Sequence, residues 1–386
     1  MAGLDSLTLG AVIAVLAFIS AGVMTITWRM NLEERGVGMW AAAAIIGGLG
    51  FSALTFFPLI GSYATFLNNT GTLIAPLLIF EGILRFRGYG KENVRRGLFI
   101  PVIIYIITVS FLNRDDPSTR FLFHDSLSAI IFFGAAFFLL RKTQGVEKKI
   151  YFLTAGIFAI IGGSFIIRWV LALSGEFTVN HINHPFTSYL FFIVMIWIVG
   201  WTYGLSLAVN YRNHKRMMTL ATHDYLTGLP NRKFLNDYIK NLMTSQKEEP
   251  FVLYSMDLNG FKQINDLYGH KTGDDVLIKM AESLRDFTWD QHTAVRLGGD
   301  EFVIVMKQTI DERAISETKK KIRQVIEEEK MIETGTISLK TSIGHAAYPT
   351  DGQTMDDLLI KADAQMYKEK SYRKLASEIH SETYQI

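Results

Sequence analysis

The feature that most constrains this chain is a series of apolar stretches in its first 210 residues. There are seven, at roughly 6–28, 37–60, 65–86, 97–113, 121–140, 151–174 and 187–209. About 20 apolar residues in a helix match the hydrocarbon thickness of a bilayer. In hydrocarbon every backbone N–H and C=O must be bonded within the protein, which selects helices for stretches of this kind. The expectation is an all-α, seven-helix transmembrane bundle over residues 1–210. No basic residue precedes the first stretch, and its apolar run is too long for a signal peptide.

Loop charges bear on the count. With residue 1 outside, the inner segments hold Arg29 and Arg35, then Arg85, Arg87, Lys91, Arg95 and Arg96, then Arg141, Lys142, Lys148 and Lys149, and finally Arg212, Lys215 and Arg216. The outer segments hold only Arg114 and Arg120. This asymmetry obeys the positive-inside rule and predicts a cytoplasmic location for everything after residue 210. Asn68, Asn69, Glu81, Asp125 and Arg168 fall within or near the stretches. Polar groups there are costly and are functional candidates by default. The plainer expectation is that Glu81 snorkels or pairs with Arg85, and that Arg168 does likewise at the outer side. His181 and His184, near Glu176, have a spacing that could hold a metal, but no further ligands are visible and solvated loop histidines are commoner. The last stretch runs on without Gly or Pro from Leu207 to Leu226. Leu207, Tyr211, His214, Met218 and Ala221 approximate a coiled-coil seam, which predicts a helix (211–223) leaving the membrane and pairing with a second copy.

Composition changes after residue 210 to that of an ordinary globular domain. The chain has no cysteine, which excludes disulfides and Cys-based zinc sites, and its net charge of +2 does not suggest a nucleic-acid partner. "FVLYSMDLN" reads as a strand ending in an acid, and "TAVRLGGDEFVIVM" as two strands around a tight turn. "GFKQINDLYGHKTGDDVLIKMAESLRDF" reads as two helices broken at glycines, and "TISLKTSIGHAAYP" as a strand or strand pair. "TMDDLLIKADAQMYKEKS" is a closing helix behind a threonine cap. Strands joined by a tight turn are antiparallel. The expected domain is α+β, one mostly antiparallel sheet with helices packed on it.

Asp257 ends one strand, while Asp300 and Glu301 sit in the hairpin behind Gly298 and Gly299. Converging acids repel unless a cation joins them, and oxygen-only ligands suit Mg²⁺ or Mn²⁺ shared with phosphates. The two glycines would let phosphates approach bare backbone, and Lys262, Lys370 and Lys374 would supply positive charge. No Walker A, nucleophile-elbow or HExxH pattern occurs. The chemistry implied is metal-assisted nucleotidyl transfer. Phe261, Phe302 and Met366 read as core, Asp266 and Asp275 as caps or solvated acids, Arg296 as a strand-face charge, and His345 as a satisfied strand residue.

Several of these segments occur in the order found in one family. "DYLTGLPNR" (224–232), "DLNGFKQINDLYGHKTGD" (257–274), "RLGGDEF" (296–302), "TSIGHAAYP" (341–349) and "ADAQMYKEK" (362–370) together resemble the GGDEF family of diguanylate cyclases. The resemblance covers residues 224–374, leaving 375–386 as a short tail. It implies a nucleotide-cyclase-like, ferredoxin-like palm domain that condenses two GTP into cyclic di-GMP and two pyrophosphates. It also implies a homodimer, while the apolar stretches and loop charges imply contact with membrane lipid and residence in the inner (cell) membrane of a bacterium, N-terminus outside. By the same resemblance, Asp257, the Leu258 carbonyl and Asp300 ligate the metal, and Glu301 completes the acidic cluster. Asp300 or a neighbour helps deprotonate the attacking hydroxyl. Asn265 and Asp274 read guanine, with His270 close to the nucleotide. Lys262, Lys370 and Lys374 hold phosphates. The alternative within the family is an idle domain that binds GTP or cyclic di-GMP and signals without turnover.

The sequence departs from the family pattern at three places. Asn259 replaces a common second Asp, and Arg373-Lys374 replaces Gly-Arg. At the position of the family's Arg-x-x-Asp product site stands "WDQH" (289–292), with Trp289 and His292 at the key positions. Inhibition of turnover by cyclic di-GMP through this site is therefore not expected. Inhibition that vanishes on replacing only Trp289 or His292 would contradict this.

Overall fold

The computed structural model describes residues 6–90, 92–174, 185–244, 249–288, 292–332 and 335–383. The chain divides into two compact units, Met1–His214 and Lys215–Ile386. The first consists of α1 (Ser6–Met30), α2 (Val37–Ala53), a short α3 (Phe57–Ile60), α4 (Ser62–Phe86), α5 (Glu92–Leu112), α6 (Pro117–Leu140), α7 (Gly145–Leu173) and the start of α8 (Pro185–Thr222). Its core joins Ile13 and Met24 of α1, Trp40 of α2, Ile79 of α4, Phe132 of α6, Phe158 of α7 and Trp201 of α8. The outward faces are equally apolar, with Ile26, Leu49, Phe152 and Leu153 all exposed. A helix apolar all round suits a lipid environment.

The count of spans differs from the sequence expectation. Among the described residues six helices are long and apolar enough to cross a membrane, not seven. The exception is the fourth stretch. Its helix α5 begins with Glu92, Arg95 and Arg96, so its apolar part runs only from Gly97 to Leu112. That segment is about 24 Å long at 1.5 Å per residue, short of a hydrocarbon core of about 30 Å. Helix α5 packs instead through Ile106 against Leu73 and Leu77 of α4 and Ile131 of α6. The polar residues are also resolved. Arg85 Nε donates to Glu81 Oε1 at 2.8 Å. Arg168 does not snorkel: it grips Asp125, which is 0% exposed, through Nε at 2.8 Å and through a second bond from Nη2. His181, His184 and Glu176 lie outside the described residues.

The second unit contains α9 (Arg232–Thr244), β1 (Phe251–Asn259), α10 (Phe261–Tyr268), α11 (His270–Phe287), β2 (His292–Gly298), β3 (Glu301–Lys307), α12 (Glu312–Glu327), β4 (Lys330–Ile332), β5 (Gly335–Ile337), β6 (Lys340–Tyr348) and α13 (Met355–Thr383). The main sheet is four-stranded, in the order β2-β3-β1-β6, and every pairing is antiparallel. With helices between β1 and β2 and between β3 and β6, this is the βαββαβ ferredoxin-like connectivity the resemblance implies. Strands β4 and β5 pair only with each other, so the 336–349 segment is two strands belonging to different sheets.

Strand β1 is buried on both faces, which explains its near-continuous apolar run. On one face Val252, Tyr254, Met256, Phe302 and Ile304 meet Val276 and Met280 of α11 and Ile322 of α12. On the other, Phe251, Leu253, Val303 and Val305 meet Leu235 of α9 and Leu358, Leu359 and Ala362 of α13. Phe302 and Met366 are buried and Phe261 packs at the core edge, as expected. Asp266 is exposed. His345 departs from expectation, since its Nδ1 is buried with no partner. Helix α13 approaches β6 closely enough that a Cβ at Gly344 would collide with the backbone of Ala362 and Met366. Only glycine permits that approach.

The buried Asp125–Arg168 pair generates a prediction for the bundle. Removing one member of such a pair strands a charge, which costs about 3–5 kcal/mol, whereas replacing both with apolar side chains is close to neutral. Asp125→Ala should destabilise the purified full chain by that amount, and Asp125→Leu with Arg168→Met should recover most of it. Denaturant unfolding in detergent checks this, and a neutral Asp125→Ala contradicts it.

Candidate active site

The register of the sheet builds the site. Asp257, near the end of β1, is the direct cross-strand partner of Glu301, the first residue of β3. Cross-strand partners sit on the same face about 5 Å apart. Asp300 precedes Glu301 in the turn, where β2 shifts register between Arg296 and Gly298. Gly299 adopts φ +54°, a left-handed conformation that glycine takes without a steric penalty. Three acids are thereby delivered to one end of the sheet. Asp257 is only 8% exposed and the Leu258 side chain is in the core.

The electrostatics follow from that placement. Burial pushes the Asp300 carboxyl above its ordinary range, and the negative charge of Asp257 adds to this. Burial also raises Glu301, with Asp363, Asp257 and Asp300 all contributing repulsion. Lys370 opposes both shifts. It lies on α13 four residues after Met366 and eight after Ala362, so the face that docks on the sheet carries it over the strand end. Its Nζ donates to Asp257 Oδ1 at 2.5 Å. The residue read as a phosphate ligand therefore stands against the acids as a cation.

Arg296 is the residue that sequence reasoning misjudged. It is no surface charge: it is 8% exposed and holds the turn. Its Nε and Nη2 donate to the Gly299 carbonyl at 3.0 and 2.8 Å, and its Nη1 donates to Asp224 Oδ1 at 2.7 Å. Burial acts to raise the Asp224 carboxyl, but hydrogen bonds from the Thr227 hydroxyl and backbone and from Arg296 outweigh it and hold it low. The backbone N–H of Arg296 also donates to Pro230 O at 2.9 Å. The "DYLTGLPNR" segment is thus the support of the glycine turn. The available signal was an arginine beside two glycines at the end of an apolar strand.

The remaining predicted residues gather on the α10–α11 corner, which begins directly after β1. Lys262 is exposed in the first turn of α10, and His270 opens α11. Asn265 lies against Gly273, where a Cβ would strike its amide, and Asp274 follows as an exposed neighbour. Asn259, in place of a second acid, accepts a bond from Ser342 Oγ at 3.0 Å. Arg373 is committed to Glu327 at 3.1 Å and Glu369 at 3.3 Å. The side chain of Lys374, and Trp289, lie outside the described residues. Asp363, bonded by Ser255 Oγ at 2.6 Å, is a further acid near Glu301 that the sequence did not single out.

Among the described residues no three His, Asp or Glu groups converge at metal-binding distance. The donor set nonetheless fits a divalent cation. Asp257, Asp300 and Glu301 are oxygen donors that repel one another, and the ammonium of Lys370 already relieves that repulsion.

Comparison with known proteins agrees with this construction. Residues 221–374 match the family described as diguanylate cyclase, GGDEF domain. Over 161 residues the chain is 40% identical to the bifunctional diguanylate cyclase/cyclic di-GMP phosphodiesterase MucR of Pseudomonas aeruginosa, covering 41% of this chain and 23% of that one. It is 35% identical over 160 residues to diguanylate cyclase DgcN of Escherichia coli, covering 41% and 39%. A crystal structure of a sensory box/GGDEF family protein from Caulobacter crescentus aligns at 31% identity over 39% of this chain and 99% of that one, with a TM-score of 0.36. The chain spans less than half the length of these curated relatives.

The raised carboxyls give a signed prediction. A carboxyl whose folded pKa exceeds its unfolded one binds more protons when folded, so its contribution to stability falls as pH rises through that window. At about pH 8 with EDTA, Asp300→Asn should therefore raise the Tm of the carboxy-terminal unit. The gain should shrink as pH is lowered, because protonation of the raised carboxyls removes the repulsion. A Tm that is unchanged or lower across the whole pH series contradicts this.

Proposed function

We propose, from the premise that residues 221–374 belong to the GGDEF family, that this protein is a membrane-bound diguanylate cyclase. It condenses two GTP into cyclic di-GMP with loss of two pyrophosphates. The observation that carries the reading is the opposition of Asp257 and Glu301 across neighbouring strands, with Asp300 in the adjoining glycine turn. Oxygen ligands that repel one another favour a divalent cation brought in with a nucleoside triphosphate.

In this reading Asp257, the Leu258 carbonyl and Asp300 hold Mg²⁺ or Mn²⁺, and Glu301 completes the acidic set. The bound cation supplies charge neutralisation at the α-phosphate and at the leaving oxygen. Gly298 and Gly299 present backbone to the phosphates. Lys262, Lys370 and Lys374 supply positive charge there, with Lys370 moving from Asp257 when the cation arrives. Asn265 and Asp274 accept and donate along the guanine edge, and His270 flanks the base. A carboxylate acceptor suits the N1–H and N2–H donors of guanine and leaves adenine unpaired. The 3′-hydroxyl of one GTP attacks the α-phosphorus of the other. An O3′–P bond forms, the bond to the β-phosphate oxygen breaks, and pyrophosphate leaves. The hydroxyl proton passes to Asp300 or an adjacent acid, and the step then repeats with the roles exchanged.

Two-fold chemistry of this kind calls for a homodimer with two-fold symmetry. The end of α8 offers the means, since Met218 of the expected seam is 52% exposed there and Met217 and Leu220 beside it are exposed too. Arg212, Lys215 and Arg216 follow the last span and support a cytoplasmic location for the enzyme at a bacterial inner membrane. The apolar outer face of the bundle would contact lipid, and its helices would set the spacing of the two domains.

Purified full-length protein incubated with GTP and Mg²⁺ should release pyrophosphate and form cyclic di-GMP. Asp300→Ala should abolish this, and Lys370→Met should cut it by about 10²-fold or more, as for removal of a group that stabilises transition-state charge. GTP binding without pyrophosphate release would favour the receptor reading instead.

A further inference from the structure

We propose that Arg373 is a positioning residue for the reaction, pinning the turn of α13 that bears Lys370 so that the ammonium stays within reach of the phosphates. The role rests on the cyclase reading, in which Lys370 leaves Asp257 when the cation arrives. At that moment α13 loses the bond that ties Lys370 to β1.

The way α13 meets the rest of the unit changes along its length. Up to Met366 it is held by packing, with Leu358, Leu359, Ala362 and Met366 buried. Among the described residues beyond Met366 none is buried, and the least exposed are Glu369, Lys370 and Arg373. All three are charged, so this part of the helix is held by ion pairs rather than by apolar contact. A helix end without buried apolar contacts opens at little cost. What the ion pairs restrain therefore decides where the Lys370 ammonium can go.

Arg373 is where the pairs join. Its Nη1 donates to Glu327 Oε1 at 3.1 Å, and its Nε faces Glu369 Oε1 at 3.3 Å, one helical turn back. Glu369 also meets Arg323 Nη2 at 2.6 Å and Lys319 Nζ at 3.5 Å, both on α12. Glu327 closes α12, and the same Oε1 accepts from the backbone N–H of Thr341 at 3.3 Å. Thr341 pairs with Leu258 across β6 and β1, and its hydroxyl donates to the Asp257 carbonyl at 3.0 Å. Arg373 is thus linked through Glu327 to the strand end that carries Asp257. A single pair of this exposure contributes little, whereas several charges joined in a network hold their geometry.

The family pattern has glycine where this chain has Arg373, and glycine has no side chain with which to reach Glu327. The link to Glu327 is therefore a property of this chain. Lys370 stands three residues before Arg373, on the same turn of the helix. With Arg373 in place, release of Asp257 leaves that turn pinned on α12 through both Glu327 and Glu369. Without it, the pairs of Glu369 with α12 remain, but the tie to Glu327 and β6 is gone.

The test is a double-mutant cycle on kcat/KM for GTP with Mg²⁺, using the purified full chain. Arg373→Gln keeps helix propensity and removes the charge. It should lower kcat/KM about fivefold, the worth of a partly exposed ion pair acting through one contact. Arg373→Lys retains a cation and should stay within about twofold of the parent. On a Lys370→Met background Arg373→Gln should cost less than about twofold, because the group it positions is absent. Parent turnover that Asp300→Ala abolishes upholds the cyclase reading by itself. Given that turnover, three results overturn the role of Arg373 and leave the reading standing: an Arg373→Gln protein as active as the parent, an Arg373→Lys protein as impaired as Arg373→Gln, or a loss repeated in full on the Lys370→Met background. A parent that releases no pyrophosphate overturns the reading and the positioning role with it.

Discussion

Asp257 and Glu301 face each other across β1 and β3, with Asp300 one residue away in the turn. Burial raises the carboxyls of Asp300 and Glu301, and the like charges around them add to the effect. A purely structural element gains nothing from that arrangement. The rest of the carboxy-terminal unit serves to maintain it. Two helix layers clamp the sheet from both faces, Arg296 locks the carbonyl of the turn, and α13 carries Lys370 over the strand end. In the proposed reading, energy stored in that repulsion becomes affinity for a cation and its phosphates.

The second constraint lies at the backbone. The Gly298–Gly299 turn exposes the main chain to which the proposed function brings a phosphate, yet a bare turn has no side chains of its own to fix it. Arg296 supplies the missing restraint from β2, and Asp224 restrains Arg296 in turn. This chain of contacts ties Asp224, just after helix α8, to the carbonyl of Gly299.

Much of this was legible in the sequence, for identifiable reasons. Strand β1 announced itself because burial on both faces demands an unbroken apolar run. The acids at the strand ends were visible because hairpin geometry fixes where residues flanking a Gly-Gly turn must point. The face of α13 followed from the spacing of Ala362, Met366 and Lys370. What escaped were contacts between segments distant in sequence: Arg296 with Asp224, Arg168 with Asp125, and β4 with β5. A charge in an apolar setting reads as a surface or snorkelling residue until its partner is seen. The fourth apolar stretch failed as a span because its run, 97–113, is already shorter than the roughly 20 residues a bilayer requires. The unpartnered Nδ1 of His345 likewise had no sequence signature.

The central claim is that the acids are held together for a cation. Calorimetric titration of the protein with Mg²⁺ and a non-hydrolysable GTP analogue, at about pH 6 in buffers of different ionisation enthalpy, tests this most directly. Binding should release protons from the raised carboxyls, and Asp300→Asn should remove that release together with most of the affinity. Binding of equal strength in the variant, or binding without proton release, would contradict it.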